Sequence, residues 1–128
     1  MLTIGIKGKA VTTADDTNSA ASMGSGLLPV FATPSMIALI EKAACESVAP
    51  ELEEGSGTVG TLLNVKHLAA TPLGMKVTAE TELVEIDRRR LVFKVEAYDE
   101  KEKIGEGIHE RFIINNEKFL SKCEAKKD

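Results

Sequence analysis

The sequence predicts an α+β fold in which an antiparallel sheet of about five strands wraps around one central helix. Three observations lead there. Residues 34–49 form a sharply ended segment that is apolar almost all round, the mark of a buried helix. Four strand-like stretches follow it, joined by turns short enough to imply antiparallel neighbours. The whole chain is 128 residues, one domain (1–128) by length, so a curled sheet is what remains to cover that helix.

The first element is a strand over 2–11, where Leu2, Ile4 and Ile6 alternate on one face. Residues 12–30 are rich in Thr, Ser, Asp, Asn, Ala and Gly and predict a loop. Its later part, Met23-Gly24-Ser25-Gly26-Leu27-Leu28-Pro29, is flexible and partly apolar. A loop of that length in a small domain often serves function.

The helix starts at Pro34, which suits a first helical position because its missing N–H costs nothing there. Thr33 can cap it through its hydroxyl. Pro50 ends it. Met36, Ile37, Leu39, Ile40, Ala43, Ala44, Cys45 and Val48 leave only a narrow polar edge of Lys42 and Glu46. Glu41 lies roughly 120° from that edge, among apolar neighbours.

After a turn-rich connector, residues 58–68 alternate as a strand. Val59, Thr61, Leu63, Val65 and His67 form the more apolar face, so His67 is expected to point inward. Thr71-Pro72-Leu73-Gly74 is a turn. Strands follow at 75–87, 91–98 and 103–115. Gly105 and Gly107 in the last suggest a bulge or a close backbone approach. Arg88-Arg89-Arg90 joins two of the strands and fits either a solvated hairpin tip or a phosphate contact. The tail from Glu117 is charged, and Phe119 and Leu120 can pack as a strand end or a helix. One apolar helix enclosed by such a sheet is the hot-dog architecture. Its open edge strand invites pairing, so a homodimer or a larger assembly is expected.

Composition narrows the functional classes. A net charge of −4 argues against nucleic-acid binding. No apolar run approaches the roughly 20 residues of a membrane span. The N-terminus lacks a signal-peptide pattern, which makes a cytoplasmic location the expectation. Cys45 and Cys123 are far apart, and two isolated histidines do not form a metal site.

Three residues could carry chemistry together. Thr33 stands at the helix start, Glu41 on an apolar arc and His67 on the inward face of the next strand. Each also has a purely structural role available: a cap, a buried ion pair, a core histidine. As a set they match acyl transfer or hydrolysis. A carboxylate and a histidine can form an acid–base pair. A helix N-terminus offers amide donors to an oxygen gaining charge. His109, Glu110 and Arg111 form a second group, in which Arg111 can fasten sheet to helix or bind a phosphate or carboxylate.

Ala32-Thr33-Pro34, Glu41-Lys42-Ala43-Ala44, Thr58-Val59-Gly60-Thr61, His67-Leu68-Ala69-Ala70-Thr71-Pro72 and Gly107-Ile108-His109-Glu110-Arg111-Phe112, in this order and spacing, resemble the hot-dog thioesterases related to fluoroacetyl-CoA thioesterase. The resemblance runs from about Val11 to Phe119. It implies a catalytic triad of Thr33, Glu41 and His67, and a glycine that positions the thioester at Gly60. Arg111 matches a family arginine. Leu27 and Phe31, from the loop before the helix, join Gly60 and Arg111 as candidate substrate contacts. The fluoroacetyl-specific enzyme carries aromatic lid residues in that loop, where this chain has Met23-Gly24-Ser25-Gly26-Leu27 and no aromatic before Phe31. The expectation is an acyl-CoA thioesterase with another acyl group, no metal or redox cofactor, and CoA present only as part of the substrate. Two rivals stand beside it: a non-catalytic acyl-CoA or small-acid binding module on the same fold, and a hydratase whose helix motif is absent here.

Overall fold

The computed structural model describes residues 1–128. Strands β1 (Lys7–Thr13), β2 (Ser56–His67), β3 (Lys76–Asp87), β4 (Arg90–Tyr98) and β5 (Lys103–Asn115) form one antiparallel sheet in the order β1-β3-β4-β5-β2. Helix α1 (Ala20–Met23) precedes the long helix α2 (Thr33–Val48), and α3 (Asn116–Glu124) follows β5. The sheet curls around α2, which packs mainly on β1 and β3. Met36, Ile40, Ala44 and Val48 of the helix are fully buried against Val77, Leu83, Phe93 and Val95 of the sheet. Truncating one of the large members, such as Met36→Ala, should cost about 2–5 kcal/mol.

The α+β fold expected from the sequence is present, with the strands close to their expected limits. The first strand is an exception. It begins at Lys7 and not at residue 2, because Gly5 turns the chain at φ 100° and leaves Ile4 58% exposed. The expected loop over 12–30 contains helix α1. Ser19 caps it by accepting from the Ser22 N–H, and Gly24 closes it at φ 73°, a left-handed conformation that glycine adopts cheaply. Helix α2 ends at Val48, and a single 3-10 turn over Ala49–Glu51 absorbs Pro50. The charged tail forms the exposed helix α3.

Thr33 is not the cap of α2. The cap position is Ala32, whose methyl cannot accept from the first-turn N–H groups. The Thr33 hydroxyl is therefore free for another partner.

The largest departure lies in β2. Gly60 pairs with Arg111 and Leu62 with Glu110, so Thr61 is an extra, bulged residue. Its hydroxyl donates to the Glu110 carbonyl at 3.3 Å. The bulge reverses which residues face the helix on either side of it. Leu63, Val65 and His67 lie opposite His109, Gly107 and Gly105 and face inward as expected. Before the bulge, Thr58 and Gly60 face inward, while Val59 is paired with the outward Phe112. The expectation that Val59 and Thr61 share the face of His67 is thus corrected: alternation cannot register an inserted residue. Gly105 and Gly107 mark close approaches, Gly105 to Met36 and Gly107 to the backbone at Asn64 and Val65.

No helix is long and apolar enough to cross a membrane. β2 is an edge strand, exposed from Gly60 to Asn64, with Leu62 and Leu63 among its uncovered side chains.

Candidate active site

The N-terminal end of α2 is fixed by the segment that follows β2. The Phe31 N–H donates to the Thr71 carbonyl at 2.9 Å, and the Ala32 N–H to the Asn18 carbonyl at 2.9 Å. The Leu68 N–H donates to the Ile104 carbonyl at 2.7 Å, which pins the chain just after His67. These bonds bring the first residue of the helix to the last residue of the strand. Thr33 Oγ1 and His67 Nδ1 are 2.7 Å apart.

The other ring nitrogen of His67, Nε2, is buried and has no partner. Burial pushes the ring's pKa below its ordinary value, with the Ala69 backbone opposing in part. The imidazole is therefore neutral near pH 7. It has one N–H, and its second nitrogen is a proton acceptor. Thr33 and His67 share a cavity of about 360 Å³ with Ala20, Val30, Phe31 and Leu68 among its walls. The first-turn amides of a helix lack intrahelical partners and carry partial positive charge, so this end of α2 suits an electron-rich oxygen.

Glu41 stands elsewhere in the chain. It is eight residues beyond Thr33, roughly 12 Å along the helix axis, and it faces the other half of β2. A Cβ built on Gly60 would lie 2.6 Å from Glu41 Oε2, so the missing side chain leaves room for the carboxylate. Arg111 Nη1 is 3.7 Å from the same oxygen. Arg111 is 6% exposed and heavily constrained. Its Nε donates to Thr58 Oγ1 at 2.8 Å and its Nη2 to the Thr58 carbonyl at 2.9 Å. Its Nη1 lies 3.2 Å from His109 Nε2.

His109 is fully buried beneath Phe93, with ring centroids 6.1 Å apart. Its Nδ1 is 2.9 Å from the Leu62 carbonyl, next to the bulge. A carbonyl only accepts, so Nδ1 carries the proton and Nε2 accepts from Arg111. Burial pushes the His109 pKa down. The Leu62 carbonyl opposes this, the Arg111 charge adds to it, and Glu41 opposes it.

One chain thus brings Thr33 to His67, and separately Glu41 to Gly60 and Arg111. It does not bring Glu41 to His67. Phe31 lines the cavity at Thr33, whereas Leu27 is 93% exposed and lines no part of it. The sequence showed His109 on the last strand but not the role that its two neighbours give it, since the bulge that presents the Leu62 carbonyl leaves no residue signature. Arg90 is taken up by Glu110 and Glu85 in ion pairs of 2.9 and 2.8 Å.

A neutral imidazole on a hydroxyl at a helix N-terminus can receive a carbonyl and move a proton. A carboxylate with an open side can serve as base or nucleophile. These are the elements of thioester hydrolysis, and comparison with known proteins gives the same chemistry. The family model described as fluoroacetyl-CoA-specific thioesterase matches residues 13–117. The fluoroacetyl-CoA thioesterase of Streptantibioticus cattleyicolor is 46% identical over 97 residues, spanning 76% of this chain and 70% of that protein. A solved structure of the fluoroacetyl-CoA thioesterase FlK superposes with a TM-score of 0.93 at 35% identity, covering 98% of each chain. A variant of that enzyme in complex with fluoroacetate and CoA superposes with a TM-score of 0.87 at 35% identity, covering 92% of this chain and 99% of the other. The chain is a thioester hydrolase with the hot-dog fold and belongs to the fluoroacetyl-CoA-specific thioesterase family.

Proposed function

We propose that the chain hydrolyses an acyl-CoA to the free acid and CoA in a site shared by two copies of itself. The contact that carries this reading is Thr33 Oγ1 on His67 Nδ1 at 2.7 Å, beside an unpartnered Nε2. The exposed edge of β2 supports the shared site. An antiparallel β2–β2 pair centred on Asn64, with Thr61 of each copy bulged out of the register, sets His67 of one copy opposite Gly60 of the other. Directly opposed residues face the same way, so the Glu41 that lies over Gly60 would approach the Thr33–His67 pair across the two-fold axis. The pairing would also cover Leu62 and Leu63 and satisfy the free backbone groups of the edge. The side of α2 that carries Ile37, Glu41 and Cys45, incompletely covered in one chain, would face its counterpart.

In this arrangement the thioester carbonyl sits at the N-terminus of α2, where Thr33 and the first-turn amides stabilise charge on its oxygen. The Glu41 carboxylate of the second copy attacks the carbonyl carbon or removes a proton from the attacking water. His67, neutral with one free nitrogen, relays a proton between that water and the departing CoA thiolate. Every step uses side chains of this protein and water. Single-turnover reaction in ¹⁸O water separates the two routes, because label enters the Glu41 carboxylate only if an acyl–enzyme anhydride forms.

The acyl group is proposed to be one other than fluoroacetyl. The stretch Met23-Gly24-Ser25-Gly26-Leu27 stands where the fluoroacetyl-specific enzyme has its aromatic lid, and it carries no aromatic side chain. Thiol release from a panel of short and medium acyl-CoAs tests the whole reading. Turnover that disappears in Glu41→Ala supports it. Equal, background-level release by both proteins, with CoA esters still bound, would instead make this a binding module.

A further inference from the structure

The hairpin tip Arg88–Arg89 has no part in the chemistry described above. In a chain of net charge −4, three consecutive arginines are out of place, and only one has a structural use. Arg90 is held by Glu110 through two bonds, at 2.9 and 3.1 Å, and by Glu85 at 2.8 Å. Arg88 and Arg89 are exposed, and their guanidiniums make no ion pair or hydrogen bond; the Arg89 carbonyl accepts from the Ile113 N–H at 2.8 Å. Arg88 also takes the left-handed conformation at φ 57°, where glycine, asparagine or aspartate is the cheaper residue for a two-residue turn.

The two free guanidiniums border a depression of about 410 Å³ together with Asp87, Arg90 and Phe112. Phe112 points outward, is 40% exposed, and lies directly opposite Arg90 across the sheet. An uncovered aromatic face beside two unpaired guanidiniums matches the chemistry of a phosphorylated nucleotide. The base stacks on the ring, and the phosphates take charge-assisted bonds from the arginines. Asp87, the one carboxylate lining the depression, can accept from an exocyclic amino group.

Its place in the sheet fits the same ligand. Gly60, over which Glu41 lies, is paired with Arg111, which is paired with Leu91. Two strand spacings and the two to three residues from Leu91 to the tip separate Gly60 from Arg88 and Arg89 by roughly 13 Å. An extended pantetheine arm covers that span.

The geometry points to Arg88 and Arg89 as the phosphate site, and Phe112 as the base platform, for the nucleotide end of the CoA thioester. This rests on the acyl-CoA reading above and adds to it where the coenzyme lies. The test compares one acyl group carried on CoA and on pantetheine, which lacks the nucleotide, in the wild type, Arg88→Gly and Arg88→Ser/Arg89→Ser. Arg88→Gly relaxes the left-handed turn, so its melting temperature should hold or rise while its KM for the CoA ester increases. The double variant should raise KM for the CoA ester at least tenfold with little change in kcat, and KM for the pantetheine ester by less than twofold. Added salt should raise the wild-type KM for the CoA ester and leave that of the double variant nearly flat. Equal changes for both esters, or none for the CoA ester, would overturn the assignment. Titration calorimetry with desulfo-CoA applies the test without turnover. If the wild type hydrolyses neither ester, the thioesterase reading fails, while weaker desulfo-CoA binding by the double variant still supports the hairpin site and unchanged binding still refutes it.

Discussion

Glu41 occupies the space that a side chain at Gly60 would need: a Cβ there would come within 2.6 Å of Glu41 Oε2. Gly60→Ala should therefore displace the carboxylate at small cost to the fold, because the nearest atom is the end of a flexible, part-exposed side chain, and the buried His109 Cε1, at 3.3 Å from the new Cβ, has to give by only a few tenths of an ångström. A shift of about 1 Å at a reacting group can cost on the order of 100-fold in rate. The expected result is a loss of that order in kcat with KM and melting temperature nearly unchanged. Steady-state kinetics alongside a thermal melt would show whether the two separate.

Thr33 gives a second separation of activity from stability. Its hydroxyl bonds His67 and does not cap the helix, so Thr33→Val should leave the melting temperature close to wild type. Loss of one donor to an oxygen that gains charge costs about 100-fold or more in kcat. Thr33→Ser keeps the hydroxyl and should keep most of the rate. A large drop in melting temperature for Thr33→Val would mean that the hydroxyl is structural after all.

Mixed assemblies test the shared site. Glu41→Gln and His67→Ala chains should each be inactive alone. Mixed in equal amounts and allowed to exchange, half of the dimers combine both chains. Each such dimer holds one intact site of two, so activity should return to about a quarter of wild type in a closed two-fold dimer. Sites contained within single chains would give no recovery.

Stability should fall as the solution is acidified through the histidine range. His109 is buried neutral, with its pKa depressed in the folded chain. Below the unfolded value of about 6.5 the unfolded chain binds a proton that the folded chain does not, so stability rises with pH across that window and is lost as pH falls. Protonated Nε2 could no longer accept from Arg111 and would face its charge. Melting temperatures from pH 8 to pH 5 should show the decline, and it should be smaller in His109→Gln. A flat profile in the wild type would contradict the assignment.

Much of this was legible in the sequence because it depended on local rules. Pro34 and Pro50 bracket an apolar run, and a helix lies between them. The alternation around Leu63, Val65 and His67 put the histidine inward, where it is. Thr33 could be tied to His67 only through the family resemblance, since the tie is made by Thr71, Ile104 and Asn18 bonding to residues next to the pair. The separation of Glu41 from His67 in one chain was hidden because Thr33 and Glu41 both sit on α2, and their distance along its axis matters only once the strand is placed. The partners of Arg111 and His109 depended on a carbonyl at a bulge, and no side chain announces one.

The bulge at Thr61 sets a rule of parity for the strand that contains it. Gly60 and His67 are seven positions apart, an odd number, and in an unbroken strand they would look in opposite directions. One surplus residue puts the two halves of β2 out of phase and lets both residues look toward the helix. A hairpin tip can gain or lose a single residue at little cost. Between Gly60 and His67, removing Thr61 takes out the surplus residue itself and leaves six positions, so both residues still look toward the helix; removing one more leaves five and turns one of them outward. Deletion of Thr61 alone should keep both residues facing the helix and retain activity, and deletion of Thr61 with one neighbour should abolish it, a pattern set by counting and not by the identity of any side chain.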